Sequence, residues 1–168
     1  MQVRPGRPAD LARLTEIYNH YVVHSHATFD LEPFTLEQRR AWFDRYALAG
    51  PHRLLVGEVD GSVVGYATSG PFRTKPAYGG TVETTIYLHH EHIGRGRADP
   101  LYAALLDQLV TEPGVHVAVA GVALPGPPSV ALHMRHGFTP VGTFSEVGHK
   151  FGRFIDVQWF QRNLERRR

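Results

Sequence analysis

Hydrophobic and polar positions change period along the chain, and each change marks an element. Leu11, Leu14, Ile17, Tyr18 and Tyr21 recur at helical spacing behind Pro8, Ala9 and Asp10, which open a helix. Thr35 to Gln38 has the T-x-x-Q form of a capping box. A second helix therefore begins there, runs through Trp42 and Phe43 and stops near Gly50-Pro51. Arg53–Val59 and Ser62–Thr68 read as strands joined by Asp60-Gly61, a pair suited to a two-residue hairpin turn. Gln2–Arg4 is a short strand, and Thr81–Leu88 is a longer one rich in Thr, Val, Ile and Tyr. Asp99 as cap and Pro100 at the first position begin a helix that ends near Glu112. Val115–Val122 is a strand and Pro127–His136 a short helix with Gly137 at its C-terminal end. Two strands close the chain near Phe138–Val147 and Phe154–Phe160.

The hairpins predict antiparallel pairing, while the strand–helix–strand unit over 81–122 predicts one parallel pair. The expected fold is α/β of the α+β type, a mixed sheet with helices on both faces. At 168 residues the chain suits a single domain over 1–168. It has no cysteine, which excludes disulfides, thiolate metal sites and a cysteine acyl-enzyme. No apolar run approaches the roughly 20 residues of a membrane span. The opening MQVRPGRPAD lacks the apolar middle of a signal peptide, so the cytoplasm is the expected location. With 18 Lys and Arg against 16 Asp and Glu, the charge is too balanced to argue for nucleic acid. Arg166, Arg167 and Arg168 read as a solvated tail.

Two segments carry candidate chemistry. The first is Gly94 to Ala98, a glycine turn between a strand and a helix. Backbone N–H groups and the positive helix end at such a turn make a site for phosphate oxygens, and Arg95 and Arg97 can add charge-assisted contacts. A tight turn with no ligand fits the same residues. The second is TVETTIYL. Alternation puts Val82, Thr84, Ile86 and Leu88 on an apolar face and Glu83, Thr85 and Tyr87 on the other. A lone carboxylate in a half-buried strand is either a general base or part of a surface-facing side. His89, His90, Glu91 and His92 lack metal-ligand spacing and read as a strand-end turn, so no metal is expected. No G-x-S-x-G appears, which argues against a serine acyl-enzyme.

The order of parts around Gly94–Ala98 resembles the GNAT superfamily of acyl-CoA N-acyltransferases. GPFRTKPAY followed by TVETTIYLHHEHIG, with YNHYV and ATFDLEP before it, resembles the phosphinothricin N-acetyltransferase group within it. LPGPPSVALHMRHGF and VGHKFGRFIDVQWFQRNL add to the resemblance, which covers nearly the whole chain. It implies a central, mostly antiparallel sheet of six to seven strands, a homodimer, and direct transfer from acetyl-CoA. The acceptor would be the α-amine of a small amino-acid-like substrate of the phosphinothricin, methionine sulfoximine or methionine sulfone type. By the same resemblance Glu83 is the general base and His133 assists the leaving thiolate. Ile86, Tyr87, Leu88, Gly94, Arg95, Gly96, Arg97, Ala98 and Ser129 would hold acetyl-CoA. Thr28, Phe29, Arg73, Lys75, Thr85 and Tyr87 would meet the acceptor, with Arg73 and Lys75 receiving its anionic groups. The chain departs from the superfamily pattern at Ser129, which stands for Ala, at His133, which stands for Tyr as it does in the phosphinothricin group, and at three further points. Ile93 stands for Gln or Arg, Asp99 adds a negative charge beside the pyrophosphate loop, and Gly126 replaces an Asn. Those departures keep open a second reading, a non-catalytic acyl-CoA-binding sensor.

Overall fold

The structure is a computed structural model, and it describes residues 1–164. The arginines at 166–168 lie outside the described residues. Seven strands form one sheet in the order β1-β2-β3-β4-β5-β7-β6. They are β1 (Gln2–Pro5), β2 (Leu54–Val59), β3 (Ser62–Pro71), β4 (Thr81–Leu88), β5 (Val117–Ala123), β6 (Thr139–Lys150) and β7 (Arg153–Asn163). Every neighbouring pair is antiparallel except β4 and β5, which run parallel as the intervening helix requires. The mixed, mostly antiparallel sheet expected from the sequence is the one observed.

Four helices cover the two faces: α1 (Leu11–His24), α2 (Leu36–Phe43), α3 (Ala98–Thr111) and α4 (Pro127–Arg135). Strand alternation divides the core between them. Leu54, Val56, Val63 and Tyr66 meet Leu14 and Ile17 of α1 on one face, with Trp42 and Phe43 of α2 beside them. Leu55, Ala67, Val82 and Ala118 meet α3 on the other, together with Leu132 of α4. Leu101, Leu105, Leu106 and Leu109 repeat at three- and four-residue spacing and are almost fully buried. Each contributes about 1.5–3 kcal/mol by leaving water, which holds α3 against the sheet.

Several boundaries differ from the sequence expectation. The Thr35–Gln38 capping box forms in both directions, but α2 ends at Phe43, well before Gly50. The chain then turns, and Arg53 fixes the following loop by donating to the Gly50 carbonyl and pairing with Glu112 at 2.5 Å. The last two strands are longer than expected and form a hairpin closed by Phe151 and Gly152, both at positive φ. Asp99 does not cap α3. Arg97 stands at the cap without a side-chain bond to the helix, and the Asp99 carboxylate turns instead to Arg135.

Candidate active site

β4 does the positioning. Val82, Thr84 and Leu88 are buried on the α3 face, while Glu83, Thr85 and Tyr87 line a cavity of about 430 Å³ on the α1–α2 face. The alternation read from the sequence thus separates core from site. Thr85 is anchored through its hydroxyl to Thr68 Oγ1 at 2.7 Å on the neighbouring strand. The Tyr87 ring is held edge-on to Tyr18, with centroids 5.2 Å apart, and packs beside Tyr21 and Tyr66. Glu83 is half-buried, and among the described residues its carboxylate has no ion-pair partner. Burial pushes its pKa up, against the opposing field of the Arg73 guanidinium. A carboxylate of raised pKa facing a cavity is suited to accept a proton.

The same strand opens a second space on its other edge. β4 and β5 pair only from Thr81↔Val117 to Glu83↔Val119 and then part, while β4 stays paired to β3 as far as Leu88. At the last paired position before the fork, Thr84 Oγ1 donates to the Val119 carbonyl at 3.2 Å. Tyr102 OH holds the same hydroxyl at 2.7 Å. Beyond the fork, Ile86, Tyr87 and Leu88 have no β5 partner. The Leu88 carbonyl is already engaged by Tyr21 OH at 2.6 Å.

The glycine turn follows. Gly94 and Gly96 have φ of +74° and +68°, and a side chain at either would enter open space. Their role is therefore the left-handed backbone, which L residues adopt at a cost. The first N–H groups of α3 have no side-chain cap, and the Arg97 Nη1 at that end is buried without a partner. Free donors, a helix N-terminus and two arginines fit a pyrophosphate. Asp99 does not oppose this as its charge suggests. Two hydrogen bonds from Arg135, each 3.0 Å, occupy its carboxylate and hold its pKa below the usual value.

The remaining sequence-predicted residues divide. Thr28 is buried near the cavity. Its hydroxyl bonds Tyr18 OH at 2.7 Å, and its carbonyl accepts from Lys150 at 2.8 Å. Phe29 lies elsewhere, with its ring over Gly148 so closely that a Cβ there would sit 2.2 Å from it. Arg73 is exposed on the β3–β4 loop, near enough for its charge to reach Glu83. Lys75 is exposed on that loop and does not line the cavity. His133 also lies away from the cavity, packed among Tyr102, Phe138 and Phe160. Its Nδ1–H donates to the Ser129 carbonyl at 2.7 Å, so Nε2 carries the lone pair and is buried without a partner. Burial lowers the ring's pKa. The ring in this state presents an acceptor rather than an acid. Gly126 has its own reason: a Cβ would stand 2.8 Å from the Ala123 carbonyl oxygen, so the space for an Asn side chain is closed.

Sequence reasoning did not single out Arg39. It is 4% exposed, with its guanidinium 3.5 Å from the Trp42 ring centroid, and it forms part of the cavity wall. Its only sequence signal is a cation on the otherwise apolar side of α2, next to Trp42 and Phe43.

Residues 3–159 match the family model described as an acetyltransferase (GNAT) domain. The chain belongs to the GNAT acetyltransferase family. It is 51% identical over 166 residues to a phosphinothricin N-acetyltransferase of Streptomyces coelicolor, covering 98% of this chain and 96% of that protein. It is 37% identical to an L-methionine sulfoximine/L-methionine sulfone acetyltransferase of Salmonella typhimurium, covering 98% and 95%. Among solved structures, the yncA protein of Salmonella typhimurium with its cofactor acetyl-CoA has a TM-score of 0.92 at 36% identity, covering 99% of this chain and 95% of that one. A GNAT phosphinothricin acetyltransferase of Sinorhizobium meliloti in complex with acetyl-CoA has a TM-score of 0.92 at 31% identity, covering 98% and 88%. In this GNAT acetyltransferase the fork of β4 and β5, the glycine turn and Glu83 itself lie on one continuous strand–turn–helix unit.

Proposed function

We propose that this protein is an acetyl-CoA-dependent N-acetyltransferase acting on the α-amine of a small amino acid with an oxidised or acidic side chain. The single observation that carries the reading is Glu83, a carboxylate of raised pKa facing an aromatic-walled cavity beside the β4–β5 fork. The names of the relatives support the substrate class: phosphinothricin in one and methionine sulfoximine or sulfone in another.

Acetyl-CoA, when bound, supplies an activated thioester carbonyl. The Gly94–Ala98 backbone, Arg95, Arg97 and the start of α3 would hold its pyrophosphate, and the open edge at Ile86–Leu88 would hold the arm nearer the thioester. Ser129, half-buried on α4, would add a polar contact to the bound cofactor. The acceptor's α-amine is mostly protonated near neutral pH. Glu83 takes that proton, directly or through one water, and frees the nitrogen lone pair for attack. Arg73 holds the α-carboxylate and keeps the amine beside Glu83. Lys75, on the same loop as Arg73, adds to the positive charge of that loop. Thr28, Thr85 and Tyr87 shape the wall, and Phe29 braces the loop that carries Thr28. A thiol's pKa is near 8.5, so the thiolate leaves without obligatory acid help, and the contribution of His133 is modest.

We place the enzyme in the cytoplasm. Among the described residues no helix is long and apolar enough to cross a membrane. We also propose a homodimer. Val141, Phe144, Val147, Phe151 and Phe154 on the β6–β7 hairpin are each more than half exposed, a density of apolar side chains typical of a covered face.

The test is a panel of free amino acids and peptides with acetyl-CoA, read by release of free thiol. Phosphinothricin, methionine sulfoximine or methionine sulfone should be acetylated in preference to common amino acids. Acetylation of peptides and of no free amino acid overturns the assignment.

A further inference from the structure

Arg39 is a buried cation without a counterion. Its side chain is 4% exposed and, among the described residues, no carboxylate lies within ion-pair distance. Its Nε is buried with no hydrogen-bond partner, and Nη2 makes one long contact, 3.5 Å, to Tyr66 OH. The ring of Trp42 at 3.5 Å and that of Tyr18 at 4.5 Å offset part of the desolvation through cation–π attraction. They leave Nε without an acceptor and Nη2 with only a long one, and a buried charge with an idle donor is costly. Asp30, the acid on the same wall, is occupied by Tyr18 OH and is not paired with Arg39.

Arg39 and Glu83 line one cavity. Arg45 also lines the cavity, but its charge is felt at Tyr46 alone among these groups, so the positive charges that bear on the acceptor are divided between two others. Arg73 is the cation whose field reaches Glu83, whereas the charge on Arg39 is felt at the phenols of Tyr18, Tyr46 and Tyr66, deeper under α1 and α2. In an α-amino acid the carboxylate is two bonds from the amine, so the cation near Glu83 is the one that meets it. A second anionic or strongly accepting group further along the side chain then faces the other cation.

The geometry points to Arg39 as the specificity-determining residue that recognises side-chain oxygens of the acceptor, such as phosphinate, sulfone, sulfoximine or a distal carboxylate. This inference rests on the acceptor reading proposed above. The planar guanidinium, stacked within 3.5 Å of the Trp42 ring centroid, presents several donors to two acceptor atoms on one centre, a match that a lysine does not reproduce. An acceptor with a thioether in that position leaves Arg39 unpaired and forgoes the gain.

The test compares two acceptors of similar length, phosphinothricin and methionine, in wild type, Arg39→Met and Arg39→Lys, with acetyl-CoA saturating. The KM for phosphinothricin should rise about tenfold or more in Arg39→Met, with kcat within about threefold and the KM for methionine little changed. Arg39→Lys should recover only part of the loss. Equal increases in KM for both acceptors would make Arg39 a structural prop and overturn the inference. Should Arg39→Met fail to fold, the wild-type pocket still decides. In a Trp159→Phe background, Trp42 fluorescence should respond to saturating phosphinothricin and not to methionine, and an equal response to both overturns the inference. If wild type neither acetylates nor binds any free amino acid, the acceptor reading itself fails. If wild type acetylates phosphinothricin but its preference survives Arg39→Met, only the assignment of Arg39 fails.

Discussion

The Asp99 carboxylate accepts hydrogen bonds from Nε and Nη2 of Arg135, each at 3.0 Å, tying the first turn of α3 to the last turn of α4. The pair places a neutralised acid beside the Gly94–Ala98 loop, where a free one would repel pyrophosphate. Removing the cation should therefore act on the donor side of the reaction. In Arg135→Ala the KM for acetyl-CoA should rise about threefold at low ionic strength, the scale of a partly exposed ion pair. Added salt should shrink the difference, and Asp99→Asn in the same chain should abolish it. Steady-state kinetics at two salt concentrations check this.

Glu83 makes a prediction about stability as well as rate. Burial raises its pKa, so the native state keeps the proton to higher pH than the unfolded chain does. Well below the ordinary carboxylate value both states are protonated and the site is neutral in its effect. As pH rises through the window between the ordinary and the raised value, stability is lost, and above it the native state carries a poorly solvated charge. Glu83→Gln should consequently melt at a higher temperature than wild type at neutral pH, with the difference vanishing in strong acid. Thermal unfolding across pH measures both limits.

Gly126 is closed to side chains. Gly126→Asn puts a Cβ 2.8 Å from the Ala123 carbonyl and 2.9 Å from Val122 Cγ1. The substitution should cost about 1–3 kcal/mol of stability, as overpacking does. Denaturant melts should show the loss, and the KM for acetyl-CoA should not improve.

His133 offers a lone pair, not a proton, at its buried Nε2. His133→Phe keeps a ring among Tyr102, Phe138 and Phe160 and removes the unpartnered nitrogen. Its kcat should fall by well under the roughly hundredfold that a general acid supplies. A larger fall in a folded variant would make His133 the acid.

The parts that were legible in the sequence are those fixed by local chemistry. Asp60 and Gly61 take positive φ in a two-residue turn, Thr35 and Gln38 cap each other, and β4 alternates between core and cavity as its pattern of branched and polar residues requires. What was not legible depends on partners far along the chain. Asp99 has the right chemistry for a cap, yet an arginine 36 residues later competes for its oxygens. Arg39 shares the side of α2 that carries Trp42 and Phe43, but only the packing of that side against Tyr18 and Tyr66 shows that the cation is buried. Gly126 reads as a lost contact until the Ala123 carbonyl is seen to fill the space.

The central claim, that Glu83 takes the proton of an amino-acid amine, is tested most directly by the pH dependence of thiol release from acetyl-CoA with phosphinothricin, in wild type and Glu83→Gln. Folded Glu83→Gln should lose about a hundredfold or more at neutral pH and recover in part at alkaline pH, where the free amine no longer needs a base. A folded Glu83→Gln within a few-fold of wild type at neutral pH would contradict the account.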